Sequence, residues 1–304
     1  MTVPPSSAAE PLDVTVLIPA YNRADLIARA IASVHAQRPA PPRELIVVDD
    51  ASSDGTAALA EELGAKVIRH ESNRGPGPAR NTGLEAAGQT WVALLDSDDE
   101  WMPDHLHTLW SLRDDHVLVA DSILYVTPTI RRWQGAVSRR PIVLRSPARL
   151  LFPENFVSHS SVMLRHDVAV AAGGYPESMG HAEDLDFMVR VLEHGTGVVA
   201  PEAGAIYHAH DGQRSLDRVE MRDFHRQTIA QYAGRPWWTE GLLRDWDGVC
   251  AWDDARLALS EGRLSEALRH FGRILRSPRR AAAVARMLHW RWRGRRQTAR
   301  LSSA

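Results

Sequence analysis

The chain has 304 residues, 44% of them hydrophobic, enough for one large α/β domain with a small extension. Its net charge is −2, which removes any global bias toward nucleic acid, and the 36 basic residues include a single lysine, Lys66. The one cysteine, Cys250, excludes an internal disulfide.

Residues 1–12 are small, polar and proline-containing, without the charged and apolar regions of a signal peptide, and read as a disordered tail. No apolar run approaches the roughly 18 residues of a membrane span. Both features set the expectation of a cytoplasmic protein.

The first element is the β-branched run Val14 to Ile18, stopped by Pro19, which reads as a buried parallel strand. A helix is expected next. Asn22 is placed as its N-cap, and Leu26, Ile27, Ala30, Ile31 and Val34 follow at helical spacing. Leu45 to Val48 is a second buried strand ending at Asp49-Asp50, followed by a Ser52-Ser53-Asp54-Gly55 turn and a helix from Ala57 to Leu63. Val67-Ile68 is a short third strand. Residues 73–78 read as a loop, Ala79 to Ala87 as a helix, and Trp91 to Leu95 as another buried strand ending at Asp96. Strand alternates with helix to about residue 120, the pattern of a doubly wound parallel sheet. Asn22, Asp50 and Asp96 then lie just beyond carboxyl strand ends, where such sheets bind ligands.

From 121 to 215 the alternation is less regular, with one clear amphipathic helix near 183–194. Beyond 215 the pattern is helical, and Ala255 to Leu275 reads as a hairpin turning at Glu261-Gly262-Arg263.

Several polar clusters can carry chemistry, and each also has an ordinary structural reading. On an extended segment Asp96 and Asp98 share one side and can hold a hard cation while leaving ligand positions for phosphate; the run can equally cap the next helix. Asp50 can accept hydrogen bonds from a ribose or a base N–H, or simply build a turn. Asp184 opens an apolar helix and can deprotonate a hydroxyl, or merely complement the helix dipole. His208-Ala209-His210 can supply a third metal ligand or a phosphate donor, or lie as a surface pair.

The order and spacing of these stretches resemble the family 2 glycosyltransferases of GT-A fold. The resemblance is carried by Val16-Leu17-Ile18-Pro19-Ala20-Tyr21-Asn22-Arg23, by Glu44 to Thr56 around Asp49-Asp50, and by Gly75-Pro76-Gly77-Pro78-Ala79-Arg80-Asn81-Thr82-Gly83. It continues in Leu94-Leu95-Asp96-Ser97-Asp98-Asp99-Glu100-Trp101-Met102-Pro103, Gly173-Gly174-Tyr175-Pro176 and Glu183-Asp184-Leu185-Asp186, covering about residues 13–215.

The resemblance implies a doubly wound, mostly parallel GT-A sheet of the nucleotide-diphospho-sugar transferase type. Its halves would be 13–120 for the nucleotide-sugar and 121–215 for the acceptor, followed by a helical C-terminal extension over 216–304. It implies that Pro19, Ala20, Tyr21 and Arg23 line the nucleotide pocket, that Asp50 contacts the base with Arg80 beside it, and that Asp96 and Ser97 face the ribose and diphosphate. Asp98 would bind Mn²⁺ or Mg²⁺ with Asp96 and His210, Trp101 and Glu183 would meet donor or acceptor sugar, and Asp184 would be the general base. Histidine, not the family's arginine, stands at 208.

The implied activity is inverting transfer from a UDP- or dTDP-sugar to a glycan, lipid-linked or small-molecule acceptor. Two alternatives compete with it. A sugar-nucleotide nucleotidyltransferase would carry a Gly-rich basic loop where Pro19-Ala20-Tyr21-Asn22 stands. A non-catalytic nucleotide-sugar or glycan-binding protein would be expected to lose Asp96, Asp98 and Asp184.

Residues 267–304 hold 11 arginines and no Asp or Glu, interleaved with Val284, Met287, Leu288, Trp290 and Trp292. An interfacial helix on an anionic membrane, at the inner face of the bilayer, is one reading of this stretch. Docking to an anionic carrier or glycan is another, and a solvated helix end a third.

Overall fold

A computed structural model describes residues 10–135, 138–151, 157–177, 182–209 and 218–301. The ten strands among the described residues are β1 (Leu12–Ala20), β2 (Pro42–Asp49), β3 (Lys66–Arg69), β4 (Trp91–Leu94), β5 (Glu100–Trp101), β6 (Leu118–Val126), β7 (Arg131–Gln134), β8 (Ile142–Leu144), β9 (Val162–Arg165) and β10 (Gly197–His208). The helices among the described residues are α1 (Ile27–His35), α2 (Thr56–Glu62), α3 (Pro76–Ala86), α4 (His105–Ser111), α5 (Ala148–Leu151), α6 (His166–Ala171), α7 (Glu183–Leu192), α8 (Arg218–Gln231), α9 (Glu240–Ser260), α10 (Leu264–Leu275) and α11 (Pro278–Leu301).

All ten strands join one sheet, ordered β3-β2-β1-β4-β9-β6-β10-β5, with β7 on β6 and β8 on β10. The four N-terminal strands of that order are parallel, as the buried apolar runs predict. β9 then enters antiparallel to both β4 and β6, and β6 and β10 run parallel again. The result is a mixed sheet with a helical C-terminal region.

Alternation along the strands feeds two apolar layers. Leu17, Ile46, Val48, Val92 and Leu94 pack with residues of α3 and α7 on one face. Val16, Ile18, Leu45, Val47 and Ala93 pack with α1 and α4 on the other. The first layer takes in Ile229, Tyr232 and Trp246, so α8 and the start of α9 share the main core. Val249, Ala251, Ile274, Val284 and Met287 form a separate small core among α9, α10 and α11. The hairpin turning at 261–263 is present as α9 and α10.

Local details depart from the sequence expectations in three places. Asn22 is not an N-cap: α1 starts at Ile27 behind Leu26, and Asn22 itself has φ +50°. Its Oδ1 accepts from the Ser53 amide at 2.9 Å, and its own amide donates to Ser52 Oγ at 2.9 Å, so the loop after β1 is stitched to the loop after β2. Residues 76–78 belong to α3, with Pro76 in the first turn, where a missing N–H costs nothing. Asp96 to Asp99 form a turn closed by the Asp99 amide on the Asp96 carbonyl at 3.1 Å, not an extended segment.

Helix α3 reaches the sheet through Gly83. A Cβ built there would stand 2.0 Å from Leu17 Cδ1 and 2.9 Å from its Cγ, and Leu17 is fully buried in β1. Gly83→Ala therefore forces α3 off the sheet or Leu17 off its rotamer. A loss of about 1–3 kcal/mol in urea unfolding is expected, the usual cost of overpacking a core. An unchanged unfolding midpoint would show that the spacing between α3 and β1 is not fixed by this contact.

Candidate active site

The polar residues gather where the carboxyl ends of β1, β2 and β4 meet the N-terminus of α7. β9 builds the floor. Its register against β4 pairs Ala93 with Met163, and continued beyond the strand end it sets Asp96 opposite Ser160. Ser160 Oγ accepts from the Asp96 amide at 3.2 Å and donates to Asp99 Oδ2 at 2.6 Å. Asp99 Oδ1 in turn accepts from the His208 amide at the end of β10, at 3.1 Å. Burial, followed by the neighbouring Asp96 and Asp98 charges, pushes the Asp99 carboxyl well above the usual carboxylate range.

Arg80, buried on α3, lies at the centre. Its Nη2 donates to Asp96 Oδ1 at 2.7 Å and its Nη1 to Glu183 Oε1 at 3.3 Å, while the guanidinium sits 5.4 Å from the Tyr175 ring centroid. Burial works against this charge, but Asp96, Tyr175 and Glu183 together raise the guanidinium above its ordinary value. Burial also raises Asp96, and the charge and hydrogen bond of Arg80 outweigh it, so the carboxyl falls below its ordinary range. His159 is buried with Nε2 bonded to Tyr175 Oη at 2.7 Å and Nδ1 3.8 Å from Asp96 Oδ1. Burial and then Arg80 bring its pKa down to about 3, so the ring is neutral at physiological pH.

Asp184 occupies the first turn of α7 with Glu183 and Asp186, where the helix dipole favours negative charge. Its Oδ1 accepts from the Leu185 amide at 2.7 Å, and the residue is half-buried. Burial raises its carboxyl above the ordinary aspartate value, Arg80 opposes the rise and Asp96 adds to it. Asp184, Arg80 and Asp96 therefore feel one another electrostatically.

The other expected site residues are placed as follows. Pro19 and Ala20 end β1 in register with Val48 and Asp49, and both are buried. Tyr21, at 46% exposure, projects from that strand end. Arg23 Nε lies 3.9 Å from Asp98 Oδ2. Arg29, one turn into α1, donates to the Asp98 carbonyl. Ser97 is buried in the turn. The side chains of Asp96 and Asp98 keep 29% and 16% exposure, the two open carboxylates of that turn.

Four expectations need correction or fall outside the structure. Asp50 is not an open acceptor for a base: its two oxygens take the Arg74 and Gly75 amides at 2.7–3.1 Å and His70 Nδ1 at 2.7 Å, so it anchors the loop leading into α3. Arg80 spends its hydrogen bonds on Asp96 and Glu183, not beside Asp50. Trp101 is buried, its Nε1 donating to the Ser160 carbonyl at 2.7 Å and its ring 4.5 Å from that of His105, so it supports the floor and cannot stack on a sugar. His210 lies outside the described residues. His208 contacts Glu100 Oε1 at 3.1 Å.

Asp99, His159, Ser160 and Tyr175 join this cluster without having been expected from the sequence. Asp99 and Tyr175 stand inside the family motifs. His159 and Ser160 carry no local signal and arrive only because β9 is inserted beside β4. A hollow of about 910 Å³ lies at the far end of α7 beside Arg145, Glu193, Arg235 and Trp237, away from these carboxylates. The site is therefore assigned by its chemistry and not by cavity size.

Comparison with known proteins agrees with the motif reading. The family model described as glycosyl transferase family 2 matches residues 15–170. The chain is 35% identical over 233 residues to the succinoglycan biosynthesis protein ExoO of Rhizobium meliloti (strain 1021), covering 72% of this chain and 66% of that protein. It is 28% identical over 271 residues to the pre-mycofactocin glycosyltransferase of Mycobacterium tuberculosis (strain ATCC 25618 / H37Rv), covering 86% of this chain and 56% of that protein. It thus spans between about half and two thirds of the length of these curated relatives. Among solved structures, S. aureus TarS 1–349 in complex with UDP-GlcNAc superposes with a TM-score of 0.63 at 21% identity, covering 77% of this chain and 70% of that one. The mannosyltransferase PcManGT from Pyrobaculum calidifontis, in complex with GDP-Man and Mn²⁺, superposes with a TM-score of 0.62 at 18% identity, covering 91% and 80%. These likenesses show a GT-A-like fold. With the family model matched over half of its length, the chain belongs to glycosyl transferase family 2, a family of glycosyltransferase enzymes.

Proposed function

We propose that this chain transfers a sugar from a nucleotide-diphosphate-sugar to an acceptor hydroxyl with inversion at the anomeric carbon, using Asp184 as general base. The observation that carries the reading is Arg80, which ties Asp96 at the end of β4 to Glu183 at the start of α7. A donor held at the strand ends and a hydroxyl held at α7 then meet across one short gap. Residues 13–120 serve as the donor half, 121–215 as the acceptor half and 216–304 as the extension. UDP- or dTDP-sugars are the proposed donors, and glycans, lipid-linked sugars or small molecules the acceptors.

Asp184 lies beside Glu183 in the first turn of α7, near enough to Arg80 and Asp96 to feel both charges. Its raised carboxyl suits proton abstraction better than an ordinary aspartate. The acceptor proton moves to an Asp184 carboxylate oxygen as the acceptor oxygen bonds to the anomeric carbon. The bond from that carbon to the diphosphate oxygen breaks on the opposite face, so the configuration inverts and no covalent sugar–protein bond is formed. Tyr21 and Arg23 border the nucleotide side, Tyr21 offering an exposed ring and Arg23 a cation.

The donor set near Asp98 fits a divalent cation of the hard type. Among the described residues no cluster of three metal-ligating side chains exists, yet Mg²⁺ and its like are commonly held by one or two carboxylates with substrate phosphates completing the shell. Asp98 and Asp96, both partly exposed, would hold Mn²⁺ or Mg²⁺ together with His210. When bound, the ion neutralises charge on the leaving diphosphate. The C-terminal extension is read as the part that meets an anionic membrane surface.

Two experiments test the reading. Asp98→Ala should abolish the Mn²⁺-dependent part of the thermal stabilisation by UDP- and dTDP-sugars, and chelation should stop transfer by the wild type. Full transfer by Asp98→Ala in excess chelator would rule the cation out.

For the base, Asp184→Asn should leave nucleotide affinity nearly unchanged and lower turnover by about 10²-fold or more. The base works deprotonated, so the wild-type rate falls as pH drops through the Asp184 pKa. Because burial raises that pKa, the acid limb lies above the ordinary aspartate value of about 4. An acid limb at the ordinary value, or wild-type turnover by Asp184→Asn, would move the role to another group, Glu183 first.

A further inference from the structure

The C-terminal extension does not present its arginines as the sequence suggests. Four arginines of α11 turn inward onto acids of α9: Arg279 and Arg286 hold Asp245, Arg280 reaches Asp247, and Arg291 holds Asp253. Val284 and Met287 fill the small core beneath them. This part of the tail is a packed helix, and truncation after Pro278 would strip that core and leave Asp245 without its arginines.

The unusual surface is on α10. Its inner face buries Ala267 and Ile274, the latter in the small core. Leu264, Leu268 and Leu275 lie on another face at i, i+4 and i+11 and are 60%, 61% and 77% exposed. Leu257 and Leu259, near the end of α9, are exposed as well. Arg269, Arg273 and Arg276 follow at i, i+4 and i+7 on a stripe about a third of a turn from the leucines. None of the three has a carboxylate within ion-pair distance among the described residues: Glu261, just before the helix, and Glu266, in its first turn, both pair with Arg263, and Glu266 feels Arg269 only at longer range. Gly272, between the two stripes, has open space where a Cβ would stand. One helix thus displays a row of exposed leucines beside a row of arginines that hold no ion pair among the described residues.

We infer that α10 is an in-plane membrane helix: its leucine row enters the headgroup–acyl boundary of an anionic bilayer while Arg269, Arg273 and Arg276 engage the lipid phosphates. An exposed apolar row of this kind marks an interaction site, and an amphipathic helix with basic residues beside its apolar face is the form that binds such an interface. Charge selects the bilayer over a second copy of the chain. Two copies joined by their leucine rows would bring two arginine rows to one interface, and the nearest acids, Glu261 and Glu266, are already held by Arg263. An anionic surface satisfies both rows at once. No helix among the described residues is long and apolar enough to cross a membrane, so the contact is peripheral. The inference rests on the proposed function for its biological sense alone, because vesicle binding is read without any sugar transfer.

The test is cosedimentation of the full chain with phosphatidylcholine vesicles containing or lacking phosphatidylglycerol, at low and high salt. Wild type should bind the phosphatidylglycerol vesicles at low salt and release at high salt, as screening weakens the arginine contacts. Leu268→Glu/Leu275→Glu changes two exposed side chains and should bind these vesicles at least ~10-fold more weakly. Arg269→Gln/Arg273→Gln/Arg276→Gln should also weaken binding at least ~10-fold and lose the salt dependence. Both variants should keep the wild-type melting temperature and its shift with nucleotide-sugars. Negligible or equal binding of wild type to both vesicle types would overturn the inference, as would wild-type binding by the leucine variant. A wild-type dimer in gel filtration that the leucine variant converts to monomer would assign the face to a second copy instead.

Discussion

Several carboxylates cannot share a half-buried cleft without a fixed counter-charge, and Arg80 supplies it. Asp96, Glu183 and Asp184 come from elements nearly ninety residues apart, and like charges at close range in low dielectric repel strongly. One buried guanidinium with two forked hydrogen bonds holds Asp96 and Glu183 in place and lowers the cost of ionising Asp184. Removing one partner of a buried pair typically costs about 3–5 kcal/mol; the 29% exposure of Asp96 puts this pair toward the lower end. The neighbours of Arg80 fix its geometry. The Asn81 side chain exchanges two hydrogen bonds with the backbone of Tyr175, at 2.6 and 2.8 Å, and Gly83 lets α3 lie against Leu17. Gly173 and Gly174 both have positive φ, and a Cβ at Gly174 would stand 2.5 Å from Asn81 Oδ1. The Arg80-Asn81-Thr82-Gly83 run thus mixes one charge that serves the site with two residues that hold it still.

The antiparallel strand β9 is the second organising element. A purely parallel sheet would continue from β4 to β6 and leave the Asp96 turn without a floor. Inserting β9 places Ser160 where it bonds the Asp96 amide and the Asp99 carboxylate, and Asp99 then grips the end of β10. The ends of β4 and β10 are joined through this chain of hydrogen bonds, beneath the partly exposed Asp96 and Asp98. Buried polar links of this kind are costly when half satisfied, which favours one arrangement of the turn.

What the sequence discloses and what it hides divide along the range of the interactions. Strands at 14–18, 45–48 and 91–95 announce themselves because both faces are buried and the residues are β-branched or apolar. The α7 helix and the α9–α10 hairpin show their periodicity plainly. Asn22 reads as an N-cap because Asn is a good one, but its partners are Ser52 and Ser53, thirty residues on. Asp50 reads as an open acceptor because nothing local shows that the Arg74 and Gly75 amides fold back onto it. Trp101 reads as a sugar platform because motif position does not report burial. The α11 arginines read as a free basic tail because their acids lie on α9, more than thirty residues upstream.

The proximal part of the extension belongs mechanically to the site, through the residue two positions after the proposed base. Asp186 is buried; its Oδ1 accepts from Tyr232 Oη at 2.7 Å and its Oδ2 pairs with Arg190 at 2.8 Å. Burial and then the Asp186 bond raise the Tyr232 phenol, so Tyr232 stays a hydrogen-bond donor at all ordinary pH. Arg190 also donates to the Gly174 carbonyl at 2.6 Å, on the loop that Asn81 fastens. Helix α7 is therefore clamped from the extension on one side and from the Gly173-Gly174 loop on the other, while its first turn presents Glu183 and Asp184 to Arg80. A carboxylate that must meet an acceptor hydroxyl at hydrogen-bond distance needs such a rigid mount. The extension thus has two roles. Helix α8 and the start of α9 steady the helix that carries Asp184, and α10, outside the main core, is left to face what lies beyond the protein.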